Sequence, residues 1–124
     1  MILADTSVWI DHLRHGDAAM RQALEAGEVL THPFVIGEIA LGQLPRRAQT
    51  LAMLALMPSA PVATPNEWLS FVERHRLFAR GVGYVDVHLL ASAALGEHTL
   101  LWTRDRRLVD AAVMLGLLHV SRSS

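Results

Sequence analysis

Short apolar runs recur through this 124-residue chain, separated by stretches of helical period: MILAD at 1–5, VLT at 29–31, TLLWT at 99–103 and LLHV at 117–120. None of them alternates apolar with polar side chains along its length. Each therefore reads as a strand buried on both faces, as in a parallel sheet covered by helices above and below. Helices are predicted over 7–13, 17–26, 33–41, 45–56, 65–80, 84–95 and 106–115. Pro33, Pro45 and Pro65 stand in first turns, and Gly27, Pro58, Gly81 and Gly83 mark stops. PSAPVATP, at 58–65, is the most loop-like stretch, with one brief extended piece. The pattern predicts an α/β fold with three α/β/α layers and a short, mainly parallel sheet. It is read as one domain over 1–124, with 121–124 a frayed tail. An apolar content of 52% suffices for a sizeable core in a chain of this length.

Composition removes several chemistries. There is no cysteine, so disulfides and thiolate metal sites are excluded. All eleven basic residues are arginine. The lack of lysine excludes the P-loop and the Schiff-base enzymes. No basic stretch leads an apolar core at the N-terminus, and the longest clean apolar run, LAMLALM at 51–57, is too short to span a bilayer. A soluble, cytoplasmic protein with no membrane segment is expected. The formal charge of −1 exerts no overall pull toward nucleic acid. Arginines do cluster locally, at 46–47, 74–80 and 104–107, where a solvated helix face competes with a phosphate-binding role.

Open parallel sheets bind ligands beyond the carboxyl ends of their strands, and Asp5 and Asp105 both fall there. Glu38, in HPFVIGEIALG, has Phe34 and Val35 at i−4 and i−3 and Leu41 at i+3, which places it on an apolar helix face pointing inward. Asp86, in GVGYVDVHLLASAAL, behaves alike, with Val82 at i−4 and Leu89 and Leu90 at i+3 and i+4. A carboxylate facing a core is costly unless it is paired, protonated or bound to a cation. Taken singly, Asp5 or Asp105 can be a helix cap, and Glu38 or Asp86 can be paired with an arginine. The set of four is what those readings leave unexplained. Two unit charges about 4 Å apart repel by roughly 4 kcal/mol at an effective dielectric of about 20. A hard, oxygen-preferring Mg²⁺ or Mn²⁺ would relieve that repulsion. The seven histidines offer no pair at i, i+4 around a Glu, so a zinc-protease site is not indicated, and most of them read as surface or cap residues.

ILADTSVWIDHLR, VIGEIALG, GVGYVDVHLLASAAL and LLWTRDRRL, in this order and spacing, closely resemble the PIN-domain ribonucleases, specifically the VapC-type toxins of bacterial toxin–antitoxin pairs. The resemblance covers nearly the whole chain; DTS alone is weak, and four motifs in register are strong. By that resemblance, Asp5, Glu38, Asp86 and Asp105 match the acidic quartet of the family. Ser7 and Thr103 match hydroxyls that support its first and last acids. Arg107 and Leu108 stand where many relatives carry Asp and Phe, so an extra outer carboxylate is absent.

The resemblance implies Mg²⁺- or Mn²⁺-dependent hydrolysis of structured RNA, transfer or ribosomal RNA among the candidates, leaving a 5′-phosphate and a 3′-hydroxyl. Asp5, Asp86 and Asp105 are expected to hold the metal, with Glu38 binding it or positioning water. Arg104 and Arg106, beside Asp105, are the expected RNA contacts. A small VapB-like antitoxin and a homodimer are the implied partners. Trp68, Phe71 and the LAMLALM helix are candidates for exposed apolar surface, although core packing accounts for any one of them. A dehalogenase-like phosphatase needs an Asp where Ser7 stands, and both it and a receiver domain need a lysine. The stronger rival is a PIN fold kept as a non-catalytic binding or regulatory module.

Overall fold

The computed structural model describes residues 1–121. The expected frayed tail lies, beyond Ser121, outside the described residues. The sheet has three parallel strands: β1 (Ile2–Ala4), β2 (Val29–Leu30) and β3 (Leu100–Trp102), in the order β2–β1–β3. Ile2 pairs with Val29 and Leu100, Leu3 with Leu30 and Leu101, and Ala4 with Trp102. Leu3 and Ala4 are fully buried on the central strand, as an unalternating apolar run requires. Two isolated parallel bridges widen the sheet. Thr31 pairs with Ser59, which is the brief extended piece of the 58–65 loop, and Leu101 pairs with Leu118.

Around the sheet run α1 (Thr6–His15), α2 (Ala18–Glu25), α3 (Pro33–Leu41), α4 (Arg47–Leu56), α5 (Pro65–His75), α6 (Tyr84–Leu95) and α7 (Arg106–Leu115), giving the three-layer α/β/α arrangement. The core gathers Leu3, Trp9, Ile39, Leu54, Leu90, Leu101 and Leu108. Helix α6 is buried without interruption from Val87 to Ala93, as befits a helix that is apolar all round and packs on β3 and α5. Thr64 caps α5 reciprocally with Glu67, through Glu67 N–H to Thr64 Oγ1 at 3.1 Å and Thr64 N–H to Glu67 Oε1 at 2.8 Å.

Three expectations are corrected. The helix expected over 65–80 ends at His75, because Arg76 turns left-handed (φ 54) and carries Leu77 into the core, 3% exposed. With an arginine rather than a glycine at that turn, no stop was visible. The strand expected at 117–120 reduces to the single bridge at Leu118, flanked by Leu101 N–H to Leu117 O and His119 N–H to Leu101 O. Helix α4 starts at Arg47 rather than at Pro45, after a left-handed Arg46. The Arg47 guanidinium instead closes α3, donating from Nε and Nη2 to Ala40 O at 3.0 and 2.7 Å.

Candidate active site

The carboxyl ends of β1 and β3 lie side by side, and Asp5 N–H donates to Trp102 O at 2.9 Å. This brings Asp5 and Asp105 to one rim of the sheet. Asp5 is 5% exposed and caps α1. Its Oδ1 accepts from Ser7 Oγ at 2.5 Å and from Val8 N–H at 3.1 Å, and its Oδ2 accepts from Thr103 Oγ1. Thr103 Oγ1 in turn accepts Asp105 N–H at 3.1 Å. One buried hydroxyl thus ties the first acid to the backbone of the last. Asp105 caps α7, Oδ1 accepting Leu108 N–H at 3.0 Å, and stands exposed. Capping occupies one oxygen of Asp105 and leaves the other toward solvent, so the cap and ligand readings coexist in one residue.

Asp86 enters from the first turn of α6, half-buried, with Oδ2 accepting Gly83 N–H at 3.1 Å. Burial, and then the charges of Asp105, Asp5 and Glu38, push its carboxyl above the usual carboxylate range against the pull of the Gly83 N–H. The acids therefore sense one another across the rim. Glu38 on α3 corrects one expectation: it is exposed rather than turned inward. Its apolar neighbours at i−4 and i+3 misled because Leu41 is itself 90% exposed, so that stripe is not the buried face of α3. Val35 and Ile39 form that face. Glu38 Oε1 accepts from Thr6 Oγ1 at 2.5 Å. Sequence reasoning missed Thr6, although it sits within the same DTS motif as Asp5 and Ser7.

No arginine among the described residues forms an ion pair with these acids. Among the described residues both ion pairs belong to Arg104, which grips Asp11 through Nη1 and Asp17 through Nη2, the latter at 2.6 Å. Arg104 was an expected RNA contact; its guanidinium is instead engaged by these two carboxylates. Arg106 is exposed and unpaired. Within the described residues no three His, Asp or Glu side chains are gathered tightly enough to hold a metal ion. The fit to a hard divalent cation is one of donor chemistry and charge: oxygen ligands only, mutually repelling, with no ion pair to them among the described residues.

Behind Asp86 and Glu38 lies an aromatic cluster that sequence reasoning also missed. His88 meets Phe34 and Tyr84 edge-on, at centroid distances of 4.6 and 4.8 Å, and lies 6.0 Å from Trp68 and 6.3 Å from His32. His32 and His88 are buried; His32 caps α3 by accepting Phe34 N–H at 3.0 Å, so His88 alone departs from the expectation that most histidines are surface or cap residues. Burial, aided by the neighbouring His88, lowers the His32 pKa to about 4. The i, i+4 spacing of Tyr84 and His88 was the available signal.

No helix among the described residues is long and apolar enough to cross a membrane. The PIN domain family matches residues 2–114. Ribonuclease VapC32 of Mycobacterium tuberculosis, from strains CDC 1551 and H37Rv, is 48% identical over 117 residues, covering 94% of this chain and 94% of each relative. With the acids of the four motifs converging on one sheet rim and a relative this similar along nearly its whole length, the chain belongs to the PIN-domain family and, within it, to the VapC type.

Proposed function

We propose that this protein is an endoribonuclease toxin that hydrolyses phosphodiester bonds in structured RNA with the help of Mg²⁺ or Mn²⁺ and is silenced by a small VapB-like antitoxin. The observation that carries the reading is the condition of Asp86: half-buried, raised by that burial and then by three neighbouring carboxylates, with no arginine among the described residues paired to any of the four. A cation would relieve the repulsion at such a site, which the caps that Asp5, Asp86 and Asp105 supply to their helices do not remove.

Asp5, Asp86 and Asp105 are the residues that would hold the ion, with Glu38 completing the set or orienting water. When bound, a divalent ion of this kind lowers the pKa of water for attack and stabilises charge growing on the phosphate. The chain's own work is orientation. Ser7, Val8 N–H and Thr103 fix both oxygens of Asp5, while Thr6 fixes Glu38. Attack of a water-derived nucleophile on phosphorus with the 3′-oxygen as leaving group, which takes up a proton, leaves a 5′-phosphate and a 3′-hydroxyl and does not need the RNA's 2′-hydroxyl.

The antitoxin is assigned to exposed apolar surface of α3 and α4, whose last residues, Leu41 and Leu56, are 90% and 89% exposed. Trp68 and Phe71 pack against the core instead. A single domain, a homodimer and a cytoplasmic location complete the reading. It is tested by incubating antitoxin-free protein with total cellular RNA in Mg²⁺, in Mn²⁺ and in EDTA, beside Asp86→Asn, and mapping new ends. Discrete metal-dependent cuts with 5′-phosphates, absent from the variant, are expected. A folded wild type that cuts no RNA would point to a non-catalytic binding module.

A further inference from the structure

Two arginines, Arg80 and Arg107, are seated against the chain without a carboxylate partner among the described residues. Arg107, in the first turn of α7, lays its side chain across Gly81 in the loop that leads into α6. A Cβ added to Gly81 would stand 2.7 Å from Arg107 Nη1 and 2.8 Å from its Cδ. Gly81 has φ +76, so the backbone calls for glycine there, and the bare Cα leaves room for the Arg107 side chain. Farther along α7, Arg80 Nη1 lies 3.2 Å from Met114 Sδ. Neither guanidinium is in an ion pair among the described residues, and exposed Asp110, between Arg107 and Met114 on α7, pairs with neither. Both arginines are exposed.

The chain itself links this seam to the acids. Gly81 precedes by two residues the Gly83 whose N–H binds Asp86, and Arg107 follows Asp105 by two. A cluster of carboxylates repels an incoming phosphodiester strand, so a substrate of that charge needs cationic anchorage close by. Guanidinium groups match phosphate with paired N–H donors, and a side chain already held by packing loses less freedom on binding.

We propose that Arg80 and Arg107 form a phosphate-binding seam that holds the RNA backbone beside the acidic site. The proposal rests on the ribonuclease reading and names where its substrate lies. It shifts the anchoring role from Arg104, whose charge Asp11 and Asp17 already engage, to Arg80 and Arg107.

The test measures affinity for a fluorescein-labelled single-stranded RNA of mixed sequence, in EDTA, across a salt series. Wild type, Arg107→Ala, Arg107→Lys, Arg80→Ala and Arg104→Ala are compared, with thermal melts and Mn²⁺ titrations in parallel. Arg107→Ala and Arg80→Ala should each weaken binding about 3–10-fold. Each should also flatten the log–log salt dependence by roughly 0.7 per lost contact. Arg107→Lys should recover most of the slope, Arg104→Ala should keep the wild-type slope, and Mn²⁺ affinity should be unchanged throughout. Wild-type slopes in both seam variants, or a slope lost only together with Mn²⁺ binding, would overturn the seam. Wild type that binds RNA through the seam but never cleaves it would refute the ribonuclease reading alone, whereas cleavage with indifferent seam variants would refute the seam alone.

Discussion

The two halves of the acidic rim are built differently. On the strand side, Asp5 is buried and both its oxygens are held, by Ser7, Val8 N–H and Thr103, and Thr103 also holds the Asp105 backbone. On the helix side, Glu38 and Asp86 each accept one hydrogen bond, from Thr6 and from Gly83 N–H, and both are more open to solvent than Asp5. The strand side is a fixed frame, anchored where parallel strands end. The helix side brings charge to that frame with less support, and it is there that repulsion appears, in the raised carboxyl of Asp86.

The sharpest way to break this contrast is Asp86→Asn. Loss of a directly acting acid is expected to reduce RNA cleavage by at least about 10²–10³-fold in an assay saturated with Mg²⁺. The same change should raise the melting temperature of the metal-free protein at neutral pH. The folded pKa of Asp86 lies above its ordinary 3.8, so the folded state binds the proton more readily than the unfolded one. Stability therefore falls as pH rises through that window, and the charged carboxyl opposes folding above it. The gain in Asp86→Asn should vanish in melts below the ordinary value. A wild-type melting temperature for the variant at neutral pH would mean that the charge on Asp86, through burial and its neighbouring acids, does not oppose folding.

Next in size is Thr103→Val, which removes the hydroxyl joining Asp5 to Asp105. Supporting hydrogen bonds of this kind are commonly worth about 10–100-fold in metal affinity or activity. Thr6→Val should cost less, since Glu38 is exposed; an effect equal to that of Thr103→Val would erase the distinction between frame and helix side.

A smaller effect comes from behind the helix side. His32 is neutral in the fold with its pKa lowered to about 4, while the unfolded chain titrates near the ordinary 6.5. Stability is then full above that ordinary value and is lost as pH falls toward the folded one, because the unfolded state binds the proton first. Denaturant melts of His32→Asn, which keeps an acceptor for Phe34 N–H, should show a flatter pH dependence in this window. Smallest is Arg104→Ala, whose partly exposed pairs with Asp11 and Asp17 are worth about 1 kcal/mol or less each in chemical denaturation.

The same contrast accounts for what could be read from the sequence. The frame was legible: MILAD and LLWTRD declare buried strands that end on an acid, and the family resemblance pointed to Ser7 and Thr103, although the bond from Thr103 to Asp5 spans 98 residues and no local spacing shows it. The inward orientation assigned to Glu38 failed because the period of an apolar stripe gives a face but not its burial, and Leu41 projects into solvent at the end of α3. The Arg104 pairs were invisible because their partners lie 93 and 87 residues away. The seat of Arg107 on Gly81 depends on the early stop of α5 at a left-handed Arg76, where no glycine signals it.

Calorimetric titration of Mn²⁺ into the metal-free protein, beside Asp5→Asn, Asp86→Asn and Asp105→Asn, tests the central claim most directly. Saturable binding to the wild type that each of the three substitutions weakens by at least tenfold, about 1.4 kcal/mol, is the predicted result. Wild-type affinity in all three variants, with their folds intact, would contradict it.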